Sequence, residues 1–346
     1  MDRESKLVER IGRAFRSGSQ YARDAALRLG IGDDAAIISC GRQRDWVLSC
    51  DAFLEGVHFL AKTHPPNSVG YKSLVRATSD LAAMGATPRY FLLTIAIPAN
   101  RTGAWLDEFL NGMARAARSL RIVLAGGDTT KGGVVSISIT VVGEIARGRA
   151  VTRSGARPGD IIYVSGALGR AQLGLELLLH GKIKASGLRG GRVRRSDRTL
   201  QSLLRPHLYP KIHLALGTWL ARRRMASAML DISDGLSTDL ARLCAASGAG
   251  AQIIPDLVPR VAVPADLSKL AAGLKLDPLK MALHGGEDYE LLFTVSPRNV
   301  KNLWAAPGFS QLKAIGEVTR GKRVVLVDKD GTKPQLEPGG WDPFRG

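Results

Sequence analysis

Aspartate recurs in this chain where an apolar run gives way to a turn or a polar segment. Asp33 and Asp34 stand in "GIGDDAA", Asp51 in "LSCDAF", Asp80 in "ATSDLAAMGA" and Asp128 in "LAGGDTT". Asp231 and Asp234 follow in "DISDGL", and Glu287 with Asp288 in "HGGEDYEL". Adjacent carboxylates repel, and desolvating either is costly unless positive charge neutralises it. Taken singly, each acid is also what a solvated turn or a helix N-cap uses. Taken together, at element ends and beside glycines that admit close backbone approach, they form a donor set for an oxygen-seeking cation. Magnesium, bound through a few carboxylates and substrate phosphates, is the ion this pattern predicts.

Other chemistries leave no comparable trace. The phosphate-loop pattern GxxxxGK[ST], the HRD and DFG motifs and the GxSxG elbow are all missing. The turn "SGALGR", between a predicted strand and a predicted helix, has the form of a phosphate cradle. The histidines are scattered and read as structural. Cys40, Cys50 and Cys244 make no CxxC pair and are odd in number, which argues against a disulfide framework or zinc and for a reducing cytoplasm.

These acids need a folded frame. With 346 residues, 45% hydrophobic and 23% charged, the chain can fill the cores of two domains. No apolar run approaches membrane-spanning length. At the N-terminus Leu7, Ile11 and Phe15 predict an amphipathic helix packed on the first domain. Strands are predicted at "AAIIS", "WVLSCD", "RYFLLTIAIP", "RIVLAGGD" and "VVSISITVVGEI", with helices over "SVGYKSLVRATSDLAAMGA" and "TGAWLDEFLNGMARAARSL". Turn residues in "TRSGARPGD" mark a boundary, dividing the chain into 1–148 and 149–346. Beyond it come "IIYV" and "AMLDI" as strands, each leading to a helix, a helix over "KIHLALGTWLARRR", and strands "ELLFTVS" and "RVVLVD". The fold class is α/β or α+β. The net charge of +18 peaks in the arginine-rich stretch Gly181–Gln201, where no aromatic is interleaved for base stacking. A solvated, mobile connector is expected there.

In this order and spacing, "GIGDDAA", "EGVHF", "SDLAAMGATP", "GGDTT", "TRSGARPGD", "DISDGL" and "HGGEDYELLFTV" resemble the thiamine-monophosphate kinase family. The resemblance runs from about Gly30 to the C-terminus. Glycine-rich acidic turns recur across the wider aminoimidazole ribonucleotide synthetase-like superfamily; "EGVHF" paired with a distant "GGEDYEL" is the more specific feature. The resemblance implies an N-terminal α/β domain that binds ATP and magnesium and pairs strands across a homodimer, followed by a second α/β domain. It implies transfer of the γ-phosphoryl group of ATP to thiamine monophosphate. Residue by residue it implies magnesium ligands at Asp34, Ser49, Cys50, Asp51, Asp80, Asp128, Asp231 and Asp234. It implies ATP contacts at Gly127, Asp128, Arg153 and Ser233, and thiamine-phosphate contacts at His58, Glu287 and Trp341.

The chemistry fits that assignment. The nucleophile is a phosphate oxygen already largely deprotonated near neutral pH, so no catalytic base is assigned. Repulsion is the obstacle: two unit charges 4 Å apart interact by about 4 kcal/mol at an effective dielectric of 20. Several cations would cancel that repulsion and hold the reactants in line. Two departures stand out: Cys50 occupies a position where the family carries a hydroxyl, and Leu120 stands where an aromatic is common. Two other readings compete. One is another ATP-dependent enzyme of the superfamily with a different phosphorylated substrate. The other is a basic nucleic-acid-binding protein with structural acids, although neither nucleic acid nor membrane is expected as a partner.

Overall fold

The computed structural model describes residues 6–9, 26–180, 195–262, 276–304 and 312–344. Among them the chain forms two compact units. Unit 1 comprises Met1–Ala150, Leu214–Arg222 and Asp342–Gly346; unit 2 comprises Val151–His213 and Arg223–Trp341.

Unit 1 is built on a six-stranded sheet in the order β1-β2-β3-β6-β4-β5. Its strands are β1 (Leu27–Leu29), β2 (Ala36–Cys40), β3 (Arg44–Leu54), β4 (Thr87–Ile97), β5 (Val123–Lys131) and β6 (Ser136–Ala146). Neighbours are antiparallel except for the parallel pair β4 and β5. Along β6, Ile137, Ile139, Val141, Gly143 and Ile145 are buried while the residues between them are partly open. That period of two marks a sheet covered on one face. The cover is α1 (Pro66–Ala83), which packs across β3 and β6 and carries α2 (Ala104–Leu120) on its side.

The two helices approach closely because glycine sits at each crossing point. A Cβ on Gly70 would lie 1.9 Å from the Phe109 carbonyl oxygen, and one on Gly112 would lie 1.9 Å from that of Asn67. A third helix, α5 (Leu214–Arg223), reaches the end of α1 in the same way. A Cβ on its Gly217 would stand 2.0 Å from the Ala82 carbonyl oxygen.

Unit 2 is a second six-stranded sheet in the order β12-β9-β11-β7-β10-β8. Its strands are β7 (Ile161–Val164), β8 (Ala228–Ile232), β9 (Gly250–Ile253), β10 (Glu290–Val295), β11 (Lys313–Thr319) and β12 (Val324–Leu326). Only β9 and β12 run parallel. Every residue of β8 and β10 is buried, as their continuous apolar runs require for strands covered on both faces. The helices are α3 (Arg170–Leu179), α4 (Arg195–Leu208), α6 (Leu236–Ser247), α7 (Pro278–His284) and the short α8 (Val300–Trp304).

The arginine-rich stretch corrects one expectation. Its first part, with Arg189, Arg192 and Arg194, lies outside the described residues, but α4 begins at Arg195 rather than after a connector. Leu204 and Leu208 of α4 pack with Leu173, Leu177 and Leu178 of α3, and this apolar seam is what draws the segment into a helix. The predicted N-terminal helix lies outside the described residues except for 6–9, where Leu7 and Val8 are exposed. No helix among the described residues is long and apolar enough to cross a membrane.

Candidate active site

In unit 1 the acids gather at the covered face of the sheet. Asp34 follows the first glycine turn, where its backbone N–H donates to Asp33 Oδ1 at 2.9 Å. Asp34 is buried, and its carboxylate comes within 4.8 Å of that of Asp80 on α1. Asp80 also accepts the Ser49 hydroxyl from β3. Two residues along the strand, on the same face, Asp51 pairs with Arg76 Nε at 3.0 Å. The alternation of β3 therefore aims Ser49 and Asp51 toward α1, whereas Cys50 points the other way. Its sulfur lies 3.4 Å from both Ser138 Oγ and Thr140 Oγ1 of β6. Asp34, Ser49, Asp51 and Asp80 offer hard oxygen donors on the α1 side, and two carboxylates this close favour a cation over their own repulsion. The donor set thus fits magnesium; the Cys50 thiol is not part of it.

A turn after β3 and the strand β5 carry the remaining candidates of unit 1. In "EGVHF", Glu55 Oε2 accepts from Arg101 at 2.7 Å and from the Val135 N–H at 2.9 Å, anchoring the turn. His58 Nδ1 accepts from the Leu54 N–H at 3.0 Å, so the neutral ring carries its proton on Nε2. In "GGDTT", Asp128 lies on the exposed strand β5, with Thr94 of β4 opposite. Its neighbour Gly127 has no room for a side chain: a Cβ there would stand 1.8 Å from the Leu93 carbonyl oxygen.

In unit 2 the acidic turns meet one another. Asp231 is buried near the end of β8, opposite Leu291 of β10. The turn that follows is organised by Asp239 of α6, whose Oδ2 accepts the N–H groups of Ser233, Asp234 and Gly235 at 3.0–3.1 Å. Arg242 bridges Asp234 and Asp239. Burial, and then the Asp234 charge, push the Asp239 carboxyl well above its ordinary range, against the pull of Arg242.

Glu287 docks on this turn through its N–H, which donates to the Ser233 carbonyl at 2.7 Å. The φ values of Glu287 and Tyr289 are +66° and +52°, left-handed geometry uncommon outside glycine. Trp341 arrives from far along the chain. Its N–H donates to the Asp234 carbonyl at 2.9 Å, and its side chain is about half exposed. Gly340 makes this possible, since a Cβ there would sit 2.0 Å from the Asp234 carbonyl oxygen. Ser233, Asp234, Glu287 and Trp341 are thereby brought together, and Arg153 is tethered through its carbonyl to Ser247 at the end of α6.

The two halves of the chain match the N-terminal and C-terminal domain models of AIR synthase related proteins, over residues 32–145 and 157–329. The thiamine-monophosphate kinase of Escherichia coli is 35% identical, with 92% of each chain covered. That of Bacillus subtilis is 31% identical, over 93% of this chain and 95% of its own. The chain belongs to the thiamine-monophosphate kinase family. Among solved structures, AaThiL complexed with AMPPCP and TMP superposes with a TM-score of 0.77 at 30% identity, covering 97% of this chain and 95% of that one. The family resemblance carried by the motifs and the two-domain α/β fold are borne out.

Within this kinase fold, several structural supports escape a reading of the sequence. Asp239 and Arg242, which shape the "DISDGL" turn, look like ordinary residues of an amphipathic helix. Asp288 looks like a partner of Glu287 but does different work. Its oxygens accept the N–H groups of Gly169 and Ala171 at 2.6 and 3.0 Å, seating a carboxylate at the start of α3. The helix end of the "SGALGR" turn is thus occupied by the protein's own acid. Burial pushes Asp288 up to about 7, against the pull of those N–H groups. The capping spacing of Asp288 is hidden because more than a hundred residues separate it from the helix it caps.

Proposed function

We propose that this chain transfers the γ-phosphoryl group of ATP to the phosphate of thiamine monophosphate, giving thiamine diphosphate and ADP. The match to AaThiL bound to AMPPCP and TMP, over nearly the whole of both chains, carries this reading. In unit 1, Asp34, Ser49, Asp51, Asp80 and Asp128 are the proposed magnesium ligands, and Cys50 contributes through its backbone carbonyl rather than its thiol. In unit 2, Asp231 and Asp234 have the same role. Gly127, Asp128, Arg153 and Ser233 are assigned to ATP, and His58, Glu287 and Trp341 to thiamine phosphate.

When bound, magnesium neutralises phosphate charge and stabilises the charge that develops during in-line transfer. The remaining work belongs to the chain. The close approach of β4 and β5 at Gly127 exposes backbone to a phosphate, and the Arg153 guanidinium offers a planar fork to phosphate oxygens. Nε2–H of His58 is a donor for the acceptor phosphate. Trp341 supplies an aromatic face for a cationic thiazolium ring, and Glu287 adds a countercharge. The acceptor phosphate is already a nucleophile, so no side chain is required to remove a proton.

The open face of the unit 1 sheet carries exposed Tyr90, Leu92 and Val123, and this apolar surface supports a homodimer. Three free cysteines suit a reducing cytoplasm. A coupled assay for ADP release decides the activity: thiamine monophosphate should stimulate magnesium-dependent turnover and thiamine should not. Equal stimulation by both, or by neither, would overturn the reading. Sedimentation at micromolar concentration tests the dimer.

A further inference from the structure

Glu287 and Glu290 each face a histidine from one short stretch of chain. His207, on the last turn of α4, places Nδ1 at 3.1 Å from Glu287 Oε2; His213, six residues on, places Nε2 at 2.7 Å from Glu290 Oε2. The first pair is unusual in its setting. The His207 side chain is only 2% exposed, while Glu287 remains about a quarter exposed. One end of the pair is fixed inside the unit and the other faces outward.

The packing around His207 is arranged to let it reach. Gly174 of α3 faces it, and a Cβ on Gly174 would lie 2.9 Å from the His207 Cβ. Any larger residue there would push α4 away. Leu204 and Leu208 flank His207 in the buried seam between α3 and α4, so the imidazole has little freedom to turn. Across the gap, the Glu287 backbone is fixed in left-handed geometry and its N–H is taken by Ser233. A carboxylate only accepts, so attraction at this distance requires a hydrogen on Nδ1. A buried imidazole holding one carboxylate oxygen leaves the other oxygen in a defined direction.

We propose that His207 is a positioning residue for acceptor recognition, acting through Glu287 and touching no substrate itself. This inference rests on the assignment of Glu287 to the thiamine-phosphate acceptor. It separates the two substrates: loss of His207 should loosen the acceptor while leaving ATP binding nearly untouched.

The test is steady-state kinetics with thiamine monophosphate and ATP varied in turn, on purified full-length variants with melting temperatures recorded. His207→Leu removes the donor at similar bulk, and His207→Asn puts an amide nitrogen near the place of Nδ1. Loss of a hydrogen bond to a charged group predicts a rise of about tenfold in KM for thiamine monophosphate in His207→Leu, with KM for ATP within about twofold. His207→Asn should recover most of that loss. In a Glu287→Gln background His207→Leu should add little, because its route of action is gone. If His207→Leu fails to fold, His207→Phe takes its place with the same readouts. An unchanged acceptor KM in the donor-less variant, equal losses for Leu and Asn, or an undiminished effect in the Glu287→Gln background would each overturn the proposal. If Glu287→Gln itself leaves the acceptor KM unchanged, the assignment of Glu287 fails and takes the proposal with it.

Discussion

Asp80 is the residue on which unit 1 turns, since it meets Asp34 and holds Ser49 at once. Asp80→Asn keeps an oxygen to accept the Ser49 hydroxyl, so the fold should survive with its melting temperature nearly unchanged. Removing an outer partner of a metal site costs about 10–100-fold in affinity or activity, and a direct ligand should cost more. Turnover should therefore fall by more than about 100-fold, with part of it recovered at high magnesium. A solvated aspartate would tolerate the change, and near-normal turnover would remove Asp80 from the ligand set. Cys50 makes the opposite case. Its thiol lies on the far face of β3, so Cys50→Thr and Cys50→Ala should both keep normal magnesium dependence. A thiol reagent on the native protein should label exposed Cys40 and spare Cys244, whose thiol burial pushes up to about 12, while Cys50, on the open face proposed for the dimer, should react only where that face is uncovered. Rapid labelling of three thiols would contradict that burial.

At the scale of elements, the decisive contacts are glycines that let backbones touch. Gly112→Ala would drive a methyl group into the Asn67 carbonyl, and α2 cannot yield without shifting along α1. Overpacking of a tight core costs about 1–3 kcal/mol, and a clash with backbone belongs at the upper end. The midpoint of urea unfolding should drop accordingly; a stable Gly112→Ala protein would mean that the helices are free to separate. Such positions also explain what the sequence made legible. The long elements β3, β4, β6 and α2 follow from periodicity, because each buries one face; α1, between the sheet and α2, buries most of its length. The short strands β1, β9 and β11 lack that signal: β9 is a four-residue run bearing glycine, and β11 is interrupted by Gly316. The acids stood out in the sequence beside glycines and apolar runs, although Asp51, Asp80 and Asp128 lie inside β3, α1 and β5 and not at the element ends expected for them. Their supports did not, because Asp239, Asp288 and His207 act across turns or across long separations in sequence.

For the whole molecule, stability should carry the imprint of Asp288. Its carboxyl rises from an ordinary value of 3.8 to about 7 in the folded state. Between those values the native chain holds more protons than the unfolded one, so this group's contribution falls as pH rises through the window and is level above it. Other titrations cancel in a comparison with Asp288→Asn. The melting-temperature advantage of the unaltered protein should therefore be greatest near the lower value and shrink toward neutrality. An advantage that grows with pH would mean that the two N–H donors outweigh burial.

The clasp that Gly339, Gly340 and Trp341 place on the start of α6 has a consequence in time. Gly339 and Gly340 bond to Ser237 and Thr238 across 102 residues of chain. A ribosome adding about 5–20 residues per second needs roughly 5–20 s to cover that distance. Throughout that interval the nascent "DISDGL" turn is held by Asp239 and Arg242 without its outer brace, and the aromatic face assigned to thiamine does not yet exist. The brace that Trp341 belongs to is thus added to a turn that Asp239 and Arg242 have already shaped.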